Sequence, residues 1–230
     1  MTAPATSANL GPGFDTLALA LDLCNEVRIT RRPGPLEVRV RGEGAGELPL
    51  DGDNLLCRSM AAVLPSLDGL LVECTNRIPL GRGLGSSAAA VCAGLAAANA
   101  LGDLRWSPQE ILSWAAAMEG HADNAAACLE GGIVAAAPGP RVRRIRPPEG
   151  LAFCVVVPET RVSTDQARAA LPLHVSLADA ADTVARAVGL VLALEHGDLD
   201  GLVPMLADRL HEPYRGPLCP GLDALRGLLG

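Results

Sequence analysis

The chain has 230 residues, 49% of them apolar and 20% charged, with a formal net charge of −7. That composition supplies a core for one large domain or two small ones, and without a sustained basic stripe it argues against nucleic acid, whose phosphate backbone calls for clustered cations. All 19 basic residues are arginine and none is lysine, which excludes a Walker A loop, a protein-kinase strand lysine and a pyridoxal Schiff base.

The first fourteen residues have neither the cationic nor the apolar region of a signal peptide. In "PATSANLGPGFD", residues 4–15, Asn9, Gly11, Gly13 and Asp15 crowd together between two strand-like segments. Such a loop suits a small polar ligand, the plainer alternative being a decorated turn in which Asn9 and Asp15 satisfy backbone groups. "NEVRITRRPGPLEVRVRG" alternates with a period of two and predicts two strands around a Pro-Gly turn. Next come a short helix capped by Asp53 and ended by Pro65, and a strand in "GLLVECTNRI".

That strand feeds "PLGRGLGSSAAAVCAGLAAANALG", residues 79–102, where Gly81, Gly83, Gly85, Ser86 and Ser87 precede an alanine-rich run. The run predicts a helix from Ser86 to Leu101 with Gly102 as its C′ residue. A glycine loop entering a helix N-terminus is an anion site, because the first N–H groups lack helical partners and the macrodipole is positive there. Triphosphate is the natural guest, and Ser86 or Ser87 can offer a hydroxyl to phosphate or Mg²⁺. The plainer alternative is an ordinary glycine-rich turn with Ser86 as N-cap. With Asn99 inside it, the stretch 88–101 is too short to span a bilayer.

"SPQEILSWAAAMEG" carries a capping box between Ser107 and Glu110 with Pro108 at the first helical position. "EGHADN" gathers Glu119, His121, Asp123 and Asn124. Glu119 could ligate Mg²⁺, and Asp123 and Asn124 could meet a substrate hydroxyl, although Asp123 competes as an N-cap. No second histidine stands at zinc spacing from His121. After a short helix and a strand, "RVRRIR" at 141–146 reads as a half-buried strand with a solvated arginine face, and the Pro-rich "RPPEG" marks a boundary between domains at 1–147 and 148–230.

Beyond it, "LAFCVVVP" at 151–158 suits a buried strand. Helices follow, capped by Ser163 or Thr164 and by Ser176, then one over roughly 199–211 and another in "GLDALRGLLG". Arg168 and Arg215 are candidates to grip a carboxylate bidentately, although each taken singly also reads as a surface arginine. Seven scattered cysteines without a C-x-x-C pair predict a reducing, cytoplasmic setting.

Together "PATSANLGPGFD", "PLGRGLGSSAA", "EGHADN", "STDQARAALP" and "EPYRGPLCPG" resemble, in order and along nearly the whole chain, the homoserine kinases of the GHMP small-molecule kinase superfamily. The phosphate loop alone indicates only the superfamily; the first loop together with "EPYR" singles out homoserine kinase. The resemblance implies an α+β fold with GHMP two-domain architecture: an N-terminal ribosomal-S5-domain-2-like domain and a ferredoxin-like C-terminal domain, expected to be incomplete, with the active site between them.

It further implies that ATP phosphates are wrapped by Pro79, Leu80, Gly81, Arg82, Gly83, Leu84, Gly85, Ser86, Ser87, Ala88 and Ala89, that Ser87 and Glu119 hold Mg²⁺, and that Asn54 approaches the adenine. L-homoserine is expected on Asn9, Asp15, His121, Asn124, Arg168 and Arg215, with Asp15 on its ammonium and the two arginines on its carboxylate. The implied reaction passes the γ-phosphoryl of ATP to the side-chain hydroxyl, giving O-phosphohomoserine, a step toward threonine. The family works without a dedicated carboxylate base, which suits a loose transition state governed by positioning and charge neutralisation; Asn124, Arg168 and Arg215 are the expected catalytic residues.

Two departures stand out. Family members ordinarily carry a strand before "PATSANLGPGF", where here only Met1, Thr2 and Ala3 precede it, and a third glycine-rich motif, which is missing after Gly216. A silent truncated fragment is therefore an alternative expectation, as is a GHMP kinase for another alcohol such as mevalonate, which Asp15 with Arg168 and Arg215 disfavours. Neither nucleic acid nor membrane is an expected partner, and a homodimer is left open.

Overall fold

The alternating stretch Leu17–Arg31 forms one long strand, β2, and the sheet assembles around it. In the computed structural model, which describes residues 1–139, 141–221 and 227, β2 pairs antiparallel with β1 (Thr2–Ala8), β4 (Leu70–Asn76) and β5 (Ile133–Ala137). Strand β3 (Glu37–Gly42) runs parallel to β4, and β6 (Arg141–Ile145) antiparallel to β5. The order is β3-β4-β2-β5-β6, with β1 also on β2. Residues expected to open a ligand loop are thus strand as far as Ala8.

The two strands flanking Pro33-Gly34 both form, but β4 lies between them. Their connection, residues 32–36, spans two strand spacings of about 5 Å each. Helix α1 (Leu55–Ala61) then makes the return that a parallel β3–β4 pair demands. Its cap is Asn54, not Asp53: the Asn54 Oδ1 accepts from Leu56 N.

Period-two alternation sorts β2 and β5 between two cores. Ala18 and Val134 point into a large core shared with α1, α2 (Ser86–Leu101), α3 (Pro108–Glu119) and α4 (Asp123–Glu130). Leu17, Leu19, Ile133 and Ile145 point the other way, against Leu190 and Leu194 of α6 (Leu177–His196). The alanines of α2 let it bury almost all round, with Val91 and Leu95 fully enclosed. The Ser107–Glu110 capping box forms as predicted, as does the Ser176 cap on α6, and of the two caps expected for α5 (Thr164–Ala169) the structure uses Ser163, in a box with Gln166. Gly102 closes α2 at φ −91°, an ordinary helical value, so it makes no left-handed turn there; a Cβ would instead crowd Ala98 O and Leu64 at 3.1 Å.

The expectation of a buried strand at 151–158 fails. Phe153, Val155, Val156 and Val157 are 41–60% exposed and join no ladder, because β6 is paired only with β5 and no described strand offers these residues a partner. The helix expected over 199–211 is shorter: α7 (Leu199–Leu202) tightens into a 3-10 turn at Val203–Leu206, where Pro204 removes a donor. Asp208 then accepts from the backbone of Leu210, His211 and Glu212 and starts a new turn leading into α8 (Glu212–Arg215). The last expected helix, in residues 221–230, falls almost wholly outside the described residues.

Candidate active site

The glycine bend adopts the geometry its composition allows. Gly81, Gly83 and Gly85 sit at φ 66°, 72° and 65°, left-handed values that cost other residues energy. Gly85 is the N-cap of α2 and no side chain caps that helix, so the amides of its first turn remain open toward an anion. Ser86 is therefore not the cap; it begins the helix. A Cβ on Gly85 would meet Thr6 Oγ1 at 1.9 Å.

Thr6, fully buried in β1, ties the bend to the rest of the site: its N–H donates to Leu84 O at 3.1 Å and its hydroxyl to Asn124 Oδ1 at 2.7 Å. A strap from the second half of the chain crosses the bend. Val162 N donates to Gly81 O at 2.8 Å, Arg82 donates to Pro158 O, and Arg161 grips both oxygens of Glu47. Pairing with Arg161 holds the Glu47 carboxyl below its ordinary range.

At the mouth of the bend, Ser87 Oγ donates to Glu119 Oε1 at 2.6 Å. Glu119 ends α3, and Gly120, left-handed at φ 80°, turns the chain into α4. His121 Nδ1 lies 2.7 Å from Oδ1 of Asp123, whose same oxygen accepts from Asn124 N. Asp123 is 2% exposed and stands inside the helix, its cap being Ala122 without a side-chain bond. The Asp123 hydrogen bond raises the His121 pKa above the usual imidazole value, against burial and the nearby Arg168.

The first loop is strained. Asn9, Leu10 and Asp15 all have positive φ, a state non-glycine residues tolerate where surrounding structure enforces it. The Asn9 amide oxygen accepts from Asp15 N at 3.0 Å and so braces the loop. Both oxygens of Asp15 accept from Arg168, at 2.8 and 3.1 Å. Arg215 donates its Nε to Ala167 O; burial, then the Arg168 charge, push its pKa below the usual arginine range.

All the site residues expected from sequence line one of two adjoining cavities. One, of about 390 Å³, carries the acidic, basic and phosphate-loop groups from Asn9 to Arg215. The other, of about 280 Å³, is lined by Asn54, Leu80 and Ala89 and shares Gly81, Ser86 and Ser87 with the first. Asn54 is largely spent on structure, since its amide also donates to Pro49 O. The two oxygen donors at Ser87 and Glu119, beside open helix amides, suit Mg²⁺, which takes one or two carboxylates and completes its shell with phosphate oxygens. A larger groove of about 790 Å³ lies over Arg39, Arg41 and Glu73; it shares no residue with the 390 Å³ cavity and only Val27 and Cys74 with the 280 Å³ one. Sequence reasoning missed Thr6, Glu47, Phe14, Arg161 and His211. Thr6 and Phe14 stand inside the quoted first loop, but nothing local marks their distant partners.

The family described as GHMP kinases N terminal domain matches residues 54–132. The chain is 42% identical to the homoserine kinase of Moorella thermoacetica over 226 residues, 95% of this chain and 76% of that protein. It is 44% identical to the homoserine kinase of Streptomyces coelicolor over 232 residues, 96% and 75% of the two chains. Among solved structures, homoserine kinase from Cytophaga hutchinsonii superposes with a TM-score of 0.84 at 32% identity, covering 98% of this chain and 76% of that one. Mevalonate kinase from L. major superposes with a TM-score of 0.66 at 16% identity, a likeness of fold alone. Identity at this level over nearly the whole chain, with the GHMP fold and the ordered motifs, establishes that this chain belongs to the homoserine kinase family of the GHMP kinases.

Proposed function

We propose that the protein phosphorylates the side-chain hydroxyl of L-homoserine from ATP, giving O-phospho-L-homoserine in threonine biosynthesis. The observation that carries this reading is the convergence, in one cleft, of an uncapped helix N-terminus behind three left-handed glycines and a charge set of Asp15, Arg168 and Arg215 matching an amino-acid zwitterion.

With no lysine in the chain, the amides of the bend and the first turn of α2 carry the triphosphate, helped by Arg82. The cavity beside Asn54 and Leu80 takes the adenine. Ser87 and Glu119 are the residues that would hold Mg²⁺, which when bound neutralises charge on the phosphates. Asp15 receives the substrate ammonium, and Arg168 and Arg215 its carboxylate.

Thr6 fixes the Asn124 amide through its oxygen, leaving the NH₂ end to orient the substrate hydroxyl. His121, turned by Asp123, flanks the same hydroxyl without serving as an obligatory base. Positioning and charge compensation do the catalytic work, as a loose phosphoryl transition state allows.

The division at 147/148 goes with this reading, since the sheet ends at Ile145 and the later helices bring Arg168 and Arg215 to the cleft. A cytoplasmic location accords with seven unpaired cysteines, and a net charge of −7 is unsuited to nucleic acid. Among the described residues no helix is long and apolar enough to cross a membrane.

The test is ATP-to-ADP turnover by the purified chain with homoserine, serine and mevalonate. Homoserine-dependent turnover is expected. A preference for mevalonate would reassign the substrate, and folded protein that turns over none of the three would favour a silent fragment.

A further inference from the structure

We propose that Phe14 is a positioning residue for the substrate carboxylate: its ring, backed by His211, seats the Arg168 and Arg215 guanidinium groups side by side. The inference rests on the homoserine reading above. The Arg215 and Arg168 Cζ atoms lie 5.2 and 6.0 Å from the centre of the Phe14 ring. The ring stacks on the imidazole of His211, with centroids 5.3 Å apart and planes 26° apart. His211 is itself immobilised: it is 6% exposed, its Nε2 lies 2.8 Å from Gly11 O, and its backbone N–H donates to Asp208 Oδ2 at 2.7 Å. The seat therefore joins the first loop to the turn before α8.

Two guanidinium groups this close repel one another, and Asp15 compensates only Arg168 by direct contact. An aromatic face carries negative quadrupole charge and attracts both cations without occupying an in-plane N–H donor. Arg215 spends its Nε on Ala167 O and keeps its two terminal nitrogens for a bidentate carboxylate. An aliphatic residue at position 14 would fill similar space but supply no such field. Sequence alone hides this, because Phe14 and His211 are nearly two hundred residues apart.

Steady-state kinetics on wild type, Phe14→Leu, Phe14→Met and Phe14→Tyr, alone and with Arg215→Gln, test the proposal, with thermal melts to establish folding. Phe14 is only half-buried, and two aliphatic variants guard against one failing to fold. The aliphatic variants are expected to raise the homoserine KM about tenfold while the ATP KM stays within about twofold, and Phe14→Tyr is expected to restore it. In the Arg215→Gln background the aliphatic effect should shrink to about threefold or less, as shared partners require. Equal rises in both KM values, no rescue by tyrosine, or an undiminished effect in the double variant would overturn the proposal. Wild-type protein without homoserine-dependent turnover would overturn the functional reading and this inference with it; wild-type turnover with an unchanged homoserine KM in both aliphatic variants would overturn the inference alone.

Discussion

Arg168 and Asp15, 153 residues apart in sequence, meet in a two-point ion pair, with Nη2 to Oδ1 at 2.8 Å and Nη1 to Oδ2 at 3.1 Å. These are the groups proposed above for opposite ends of the substrate zwitterion. A ligand carrying both charges exchanges one ion pair for two, whereas a ligand carrying one leaves a protein charge uncompensated. Arg168→Gln should raise the homoserine KM about hundredfold, the equivalent of one charge-assisted contact. Its melting temperature should hardly move, because both side chains are 35% exposed and such pairs add little stability. An unchanged KM in steady-state kinetics would remove Arg168 from the carboxylate site.

Gly85→Ala combines two faults. The left-handed backbone costs roughly 1–2 kcal/mol with any Cβ, and that Cβ would stand 1.9 Å from the buried Thr6 hydroxyl. Relieving the clash displaces Thr6 and, through it, Asn124. The variant should melt lower and lose both ATP affinity and kcat, as nucleotide titration and turnover can check. By contrast Gly83→Ala, where a Cβ meets nothing within 4 Å, should show the backbone cost alone.

The hydrogen bond to Asp123 raises the His121 pKa above its ordinary 6.5. The folded state thus binds this proton more tightly than the unfolded chain. The stabilisation is complete below about pH 6.5 and is lost as pH rises through the elevated native value. Thermal melts of wild type and His121→Gln at successive pH values should converge across that window, the wild type losing its advantage as pH rises. Parallel curves would show that His121 is not held this way.

Cysteine reactivity should sort by burial. Burial pushes the Cys57 thiol up to about 12 and Cys74 up to about 11. Cys92 is raised by its hydrogen bond with Cys128 and by burial. With Ellman's reagent at pH 8, exposed Cys154 should react first and Cys24 and Cys219 more slowly. Cys57, Cys74, Cys92 and Cys128 should react only after denaturant is added; prompt reaction of all seven would contradict the packing.

What was legible in sequence was local. The glycine bend, the extent of α2, the capping box on α3 and the serine or threonine caps expected for α5 and α6 depend on propensities and on hydrogen bonds between residues three or four apart. The ordered motifs carried the family and its expected residues, all of which line two adjoining cavities. Short-range signals misled where a partner had to arrive from elsewhere. The apolar run at 151–158 has strand composition, yet a strand exists only through a ladder, and no described strand supplies one. Asp53 is the expected cap of the short helix, whereas the cap is made by the next residue, Asn54, whose side chain accepts from Leu56 N.

The sequence by itself determined the glycine bend and the helix it enters, because both are written in consecutive residues, and the absence of lysine narrows what could hold an anion there. Only the tertiary structure decided how the charged groups share the cleft. Asp15 with Arg168, Thr6 with Asn124, Arg161 with Glu47 and Phe14 with His211 are each separated by more than a hundred residues. Their meeting depends on burial of β2 and β5 between two cores, which brings the first loop and the late helices to one cleft.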